Sequence, residues 1–125
     1  MAKRVLSISY DQSLLLTRRF LLEQAGFQVI SAEGFVEAIE KCDAEGREFD
    51  LIILGQTIPR KDKERIIAHT QERCPSLVLA LLKSDESPVQ GADYSVEASD
   101  PNVFLATVRR MIEAENQSRP TQKAF

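Results

Sequence analysis

Four consecutive aliphatic residues, Leu51-Ile52-Ile53-Leu54, lie between Phe49-Asp50 and Gly55-Gln56-Thr57-Ile58-Pro59. This stretch limits the fold more than any other. A strand without polar alternation is buried on both faces, as in the middle of a parallel sheet covered by helices. The strand stops at Gly55, and Pro59 then opens a charged, helix-like segment. In open α/β sheets chemistry sits just past the carboxyl ends of the strands. Position 55 therefore stands where a functional side chain is expected, and glycine has none.

The rest of the chain alternates in the same way. Arg4 to Ser9 is β-like, and Asp11 can cap a helix that runs to about Ala25 and closes at Gly26. Leu14, Leu15, Leu21, Leu22 and Ala25 form its core stripe, with Thr17 at the edge and Leu16 and Phe20 on the opposite side. Phe27 to Ile30 reads as a second strand. Ala32 to Glu45 reads as a second helix, with Val36, Ile39 and Cys42 inward and closure near Gly46. After the central strand come a helix from about Lys61 to Arg73, with Ile66, Ile67 and Thr70 inward, and a strand over Leu77 to Leu82. Only nine residues separate Leu82 from Ala92, and they include Pro88 and Gly91. A crossover with its helix needs roughly 10–12 residues or more, so an irregular loop is expected there. A short strand over Ala92 to Val96 and a helix opened by Asp100-Pro101 complete the pattern, with Phe104, Leu105, Val108, Met111 and Ile112 facing the core. The expected domain is 1–114, and the polar segment 115–125 is expected to be disordered.

Strands alternating with helices predict a doubly wound, five-stranded parallel sheet of the flavodoxin-like kind. Its order should be 2-1-3-4-5, with the fourth helix shortened or absent.

Composition narrows the function. With 43% hydrophobic and 28% charged residues, the chain is ordinary for a globular domain. Its net charge of −3 offers no general attraction to nucleic acid or to an anionic membrane. The longest apolar run, Leu77 to Leu82, is too short to cross a bilayer, and Met-Ala-Lys-Arg leads straight into a strand without an apolar signal region. Cys42 and Cys74 are far apart in sequence and form no CxxC pair, so reduced thiols in a cytoplasmic protein are expected.

Several segments occur in the order and spacing of a known family's landmarks. They are Glu23 to Val29, Phe49 to Leu54, Ile58-Pro59, Gly91-Ala92-Asp93 and Asp100-Pro101. From about Lys3 to Ala114 the chain resembles the receiver (response-regulatory) domain of two-component signalling, a module of bacterial phosphorelays. That resemblance implies an aspartate that takes a phosphoryl group from a histidine kinase. It also implies an acidic pair holding Mg²⁺, a hydroxyl on the fourth strand and a lysine on the fifth. This chain departs at every such position. Gly55 matches the phosphoacceptor, Ser9 and Tyr10 the acidic pair, Leu82 or Lys83 the hydroxyl, and Glu97 or Ala98 the lysine. Asp11 sits one place beyond the pair, where capping explains it.

The resemblance thus implies a degenerate pseudo-receiver that acts by protein–protein contact, has no enzymatic activity and calls for no cofactor or metal. Ser9, Tyr10, Gly55, Gln56, Leu82, Lys83, Glu97 and Ala98 would line the degenerate phosphorylation pocket. The alternative is a ligand sensor that binds a small molecule or ion in that vacated pocket. Lys83 and Glu97 can instead pair with each other. Leu16 and Phe20, ringed by Arg19 and Glu23, form a candidate contact surface for a signalling partner or a homodimer; membrane and nucleic acid are not expected partners. Arg18-Arg19 and Arg109-Arg110 read as solvated faces, and His69 as a surface histidine without ligands at metal spacing.

Overall fold

The computed structural model describes residues 3–45, 49–98 and 100–123, with backbone alone for 45 and 115–123. Strands β1 (Arg4–Ser9), β2 (Gln28–Glu33), β3 (Leu51–Leu54), β4 (Leu77–Leu82) and β5 (Tyr94–Glu97) alternate with helices α1 (Gln12–Gln24), α2 (Gly34–Glu45), α3 (Arg60–Arg73) and α4 (Pro101–Lys123). All strand pairs are parallel and their order is β2-β1-β3-β4-β5, as the alternation predicts. All four residues of β3 are completely buried, because helices cover both sides of the sheet. One face packs Ile52, Leu54, Val78 and Ala80 against Ala38 and Cys42 of α2 and Ile66 and Ile67 of α3. The other packs Val5, Leu51, Ile53, Leu79 and Leu81 against Leu22 of α1 and Phe104, Val108 and Met111 of α4.

The expected loop is present. No helix joins β4 to β5, and residues 83–91 form turns that contribute Val89 to the core in place of a helix face. Gly91 is fixed by geometry, since its φ is +93° and a Cβ would lie 2.9 Å from Ile67 Cγ2.

Five expectations need correction. Strand β2 extends to Glu33, and Gly34 at φ +90° turns the chain into α2. That start rotates the helix, so Val36 is exposed, and Ala38 and Cys42 face the core. Arg18 lies within the α1 core stripe rather than on a solvated face, being only 7% exposed. Helix α4 continues to Lys123, past the expected end at 114 and into the segment expected to be disordered. Cys42 and Cys74 form a disulfide with Cα atoms 6.0 Å apart, because the sheet brings the last turn of α2 beside the end of α3. The fifth concerns His69, whose Nε2 lies 2.8 Å from Asp43 Oδ1. Donor atoms of Cys42, Asp43 and His69 lie within 4.8 Å of one another, but the Cys42 sulfur is bound in the disulfide and offers no thiolate. Closure of α2 at Gly46 falls outside the described residues.

Candidate functional site

The strand ends bring Ser9, Gly55, Leu82 and Glu97 to one edge, through the registers Ile8 with Leu54 and Leu82 with Glu97. Gly55 donates its N–H to Ile8 O at 2.9 Å, continuing the ladder one residue past β3. A Cβ at position 55 would lie 3.0 Å from Arg18 Nη1, 3.1 Å from Ile8 O and 3.3 Å from Ser9 Cβ. The position is therefore filled by a guanidinium from α1, and absence of a side chain at 55 is what makes room for it.

Arg18 reaches there because it sits midway along the stripe Leu15, Arg18, Leu22, at i, i+3 and i+7. Its Nη2 donates to Gln56 Oε1. Its Nη1 is buried and has no hydrogen-bond partner among the described residues. Burial lowers its pKa from the usual arginine range, opposed by the negative charge of Asp11. Asp11 is itself engaged, accepting from Ser13 N at 2.9 Å and Leu14 N at 3.2 Å. Desolvating a guanidinium against one amide oxygen is a poor exchange for lost hydration.

Other predicted site residues do separate jobs. Ser9 is fully buried, and its Oγ accepts the Asp11 N–H at 3.0 Å, closing the turn into α1. Tyr10 turns to α3, where Oη donates to Asp62 Oδ2 at 2.8 Å. Burial foremost, then that hydrogen bond and the Asp62 charge, push its pKa well up. Leu82 is core, whereas Lys83 and Glu97 are exposed and make no ion pair with each other. Ala98 donates its N–H to Leu82 O at 3.1 Å. Leu16 and Phe20 are exposed at 65% and 63%, as expected, with Arg19 Nε 3.1 Å from Glu23 Oε2 beside them.

Beside the guanidinium, between α1 and the start of α4, lies a cavity of about 160 Å³. Leu14, Leu21, Leu81 and Phe104 line it, together with Arg18 and Gln56. The opposite face of the sheet holds a second buried cation that the sequence reading missed. Lys63 is fully buried, with Nζ 3.0 Å from Leu81 O and 3.0 and 2.9 Å from the two Glu86 oxygens. Both cations had a sequence signal, since Lys63 precedes Ile66, Ile67 and Thr70 at helical spacing and Arg18 is flanked by leucines at i±3 and i±4.

Topology and the strand ends define a doubly wound α/β domain with Gly55 at the end of its central strand. No family model matches the chain. It is similar to the alkaline phosphatase synthesis transcriptional regulatory protein PhoP of Bacillus subtilis, at 24% identity over 131 residues, covering 98% of this chain and 54% of that protein. The chain thus spans about half the length of that curated relative. Among solved structures, a CheY-like response regulator receiver domain protein of Methanospirillum hungatei superposes with a TM-score of 0.78 at 17% identity, over 94% of this chain and 99% of that one. The chemotaxis protein CheY4 of Vibrio cholerae gives 0.69 at 22% identity, over 89% and 99%. The fold is that of receiver (CheY-like) domains.

Proposed function

We propose that this domain is a receiver-like module of two-component signalling that works by protein–protein contact, without aspartyl phosphorylation and without catalytic activity. One observation carries the reading: the place of an acceptor side chain at position 55 is taken by the Arg18 guanidinium, packed where a Cβ would stand. A carboxylate nucleophile is absent there, and Ser9 and Tyr10 supply no charge to hold Mg²⁺. The same reading places the domain in the cytoplasm, where the thiol pool works against the Cys42–Cys74 bond. Among the described residues no helix is long and apolar enough to cross a membrane.

The contact surface we assign is the outer side of α1, where Leu16 and Phe20 lie one turn apart. Burying each side chain fully stabilises a complex by roughly 1.5–3 kcal/mol. Two residues fall far short of the roughly 1,200 Å² that stable interfaces begin from, so a partner must also cover neighbouring surface. Incubation with acetyl phosphate and Mg²⁺ followed by intact-mass measurement tests the first claim. No phosphate adduct is expected; a hydroxylamine-labile gain of one phosphate would overturn it. Replacing Leu16 and Phe20 together by Glu should leave the unfolding midpoint nearly unchanged and abolish any self-association or partner binding seen by sizing. Retained association would remove α1 as the contact.

A further inference from the structure

We propose that the reduced chain holds a zinc ion between α2 and α3, on Cys42, Asp43, His69 and Cys74. The site lies where α3 ends before β4, at the edge of the parallel sheet opposite Gly55. It goes beyond the reading above and stands without it.

The four residues come as two short-range pairs. Cys42 and Asp43 are adjacent near the end of α2, and His69 precedes Cys74, the C-cap of α3, by five positions. Two such pairs facing each other are how structural zinc sites are assembled. The neighbouring helices bring the donor atoms of Cys42, Asp43 and His69 within 4.8 Å of one another, and the Cys74 sulfur is bonded to that of Cys42. Together they offer two sulfurs, a ring nitrogen and a carboxylate oxygen. Zinc takes that set with four-coordinate geometry, whereas Mg²⁺ and Ca²⁺ want oxygen alone.

In the disulfide both sulfurs are spent, so the site exists only after reduction. Two thiols of a thiol reductant break the S–S bond; two electrons and two protons pass to the Cys42 and Cys74 sulfurs, and the reductant leaves as its own disulfide. Zinc then displaces both thiol protons to solvent. Bonds of about 2.3 Å to sulfur and about 2.0 Å to nitrogen and oxygen set the sulfurs about 3.8 Å apart and the nitrogen about 3.3 Å from the oxygen. Cα atoms 6.0 Å apart let two free thiolates flank one ion. His69 Nε2 and Asp43 Oδ1, now at 2.8 Å, have to part by about half an ångström to reach that spacing. Side chains exposed at 25% and 47% have that freedom. They also form the way in, since both cysteines are fully buried.

The test uses the full chain, reduced with a phosphine under argon and freed of reductant. It is titrated with Zn²⁺ against a chromophoric chelator and, separately, with Co²⁺ followed by absorbance. Reduced wild type should bind one equivalent of zinc with a Kd of about 1 μM or tighter. Its cobalt form should show the intense visible bands of tetrahedral cobalt and a thiolate-to-metal charge-transfer band. Zinc should also raise the unfolding midpoint of the reduced chain. The disulfide form should do none of these, nor should Cys42→Ala/Cys74→Ala. Asp43→Asn and His69→Gln keep both cysteines and leave the core intact. Each should weaken zinc binding about ten-fold or more, as loss of even an outer partner of a metal ligand does. Equal zinc affinity of the reduced and disulfide forms, or cobalt binding without the charge-transfer band, would overturn thiolate ligation. Unchanged affinity in either Asp43→Asn or His69→Gln would overturn the four-ligand site. A reduced chain that loses its circular dichroism and does not recover it with Zn²⁺ would overturn the proposal outright.

Discussion

The two faces of the sheet each bury one basic side chain and treat it in opposite ways. On the α2/α3 face, Lys63 Nζ meets a backbone carbonyl and both oxygens of Glu86 within 3.0 Å. Glu86 also accepts the Lys83 N–H at 2.9 Å, and Arg60 holds Ser87 O and Pro88 O at 2.6 Å each. That network replaces a crossover helix with a strapped loop, and the Cys42–Cys74 bond clamps the same face. On the α1/α4 face, Arg18 has one amide partner, an unpaired Nη1 and a cavity beside it. Lys63, with complete partners, is part of the scaffold; Arg18 is buried with its donors incompletely met, which costs stability.

The largest effect that tests this contrast is at Glu86. Glu86→Ala leaves a fully buried ammonium with only Leu81 O, and breaking a buried pair in that way costs roughly 3–5 kcal/mol. Lys63→Met should cost distinctly less, because Glu86 keeps 15% exposure and can hydrate. Urea unfolding of both variants measures the difference. Equal, small losses would mean that the loop does not depend on the pair.

Next in size is the disulfide, which closes a loop with a sequence separation of 32 residues. Chain-entropy arguments give roughly 3–4 kcal/mol for a loop of that length. Dithiothreitol should therefore lower the unfolding midpoint of the wild type and leave a Cys42→Ala/Cys74→Ala variant unmoved. No shift in the wild type would place the clamp outside the stability of this face.

Acid probes the strapped loop more gently. Burial raises the Glu86 pKa, but the Lys83 N–H, Lys63 and Arg60 together outweigh it and hold the group below its ordinary value. A carboxylate depressed in the folded state contributes stability that is fully present above its unfolded pKa of about 4.3 and is lost as pH falls through the folded value. The stability difference between wild type and Glu86→Gln should thus be constant near neutrality and shrink below about pH 4. A constant gap down to pH 2 would show that the charge of Glu86 does not carry the effect.

How far the sequence could be read follows the same division. The burial of Leu51 to Leu54, the strand order and the loop at 83–91 follow from apolar runs and segment lengths, which are local signals. Charged residues on helices are usually solvated, so Arg18 reads as a surface residue by type and Lys63 passes unremarked, although both fall in the leucine and isoleucine stripes. Cys42 with Cys74, Asp43 with His69 and Tyr10 with Asp62 are set by which helices neighbour each other on the sheet. Sequence spacing holds no record of that. At the site, the missing side chain at position 55 was legible, but the guanidinium packed beside it was not, because Arg18 arrives from another element.

The smallest effect is at Gly55 itself, and its sign matters more than its size. Its φ lies outside the left-handed region, so a side chain is not excluded by the backbone. Ala at this position would gain about 0.4–1 kcal/mol by restricting the unfolded chain. Against that, its Cβ would press on Ile8 O and Ser9 Cβ, at 3.1 and 3.3 Å, which are anchored, and on Arg18 Nη1, which can move. The two terms nearly cancel, so Gly55→Ala should fall within about 1 kcal/mol of the wild type. Gly55→Asp meets the same crowding but sets a carboxylate beside the unpaired Nη1, where a charged hydrogen bond adds about 1.5–3 kcal/mol before desolvation of the new carboxylate is deducted. Asp should therefore be more stable than Ala by about 1 kcal/mol, an order opposite to that expected for a carboxylate buried without a cation. With Ser9 and Tyr10 unchanged, Gly55→Asp should also fail to acquire phosphate from acetyl phosphate. Urea unfolding of the two variants and intact-mass measurement of Gly55→Asp after incubation with acetyl phosphate and Mg²⁺ measure these outcomes. If Asp proves less stable than Ala, Arg18 is not an available cation, and the contrast between the two faces collapses at its weaker end.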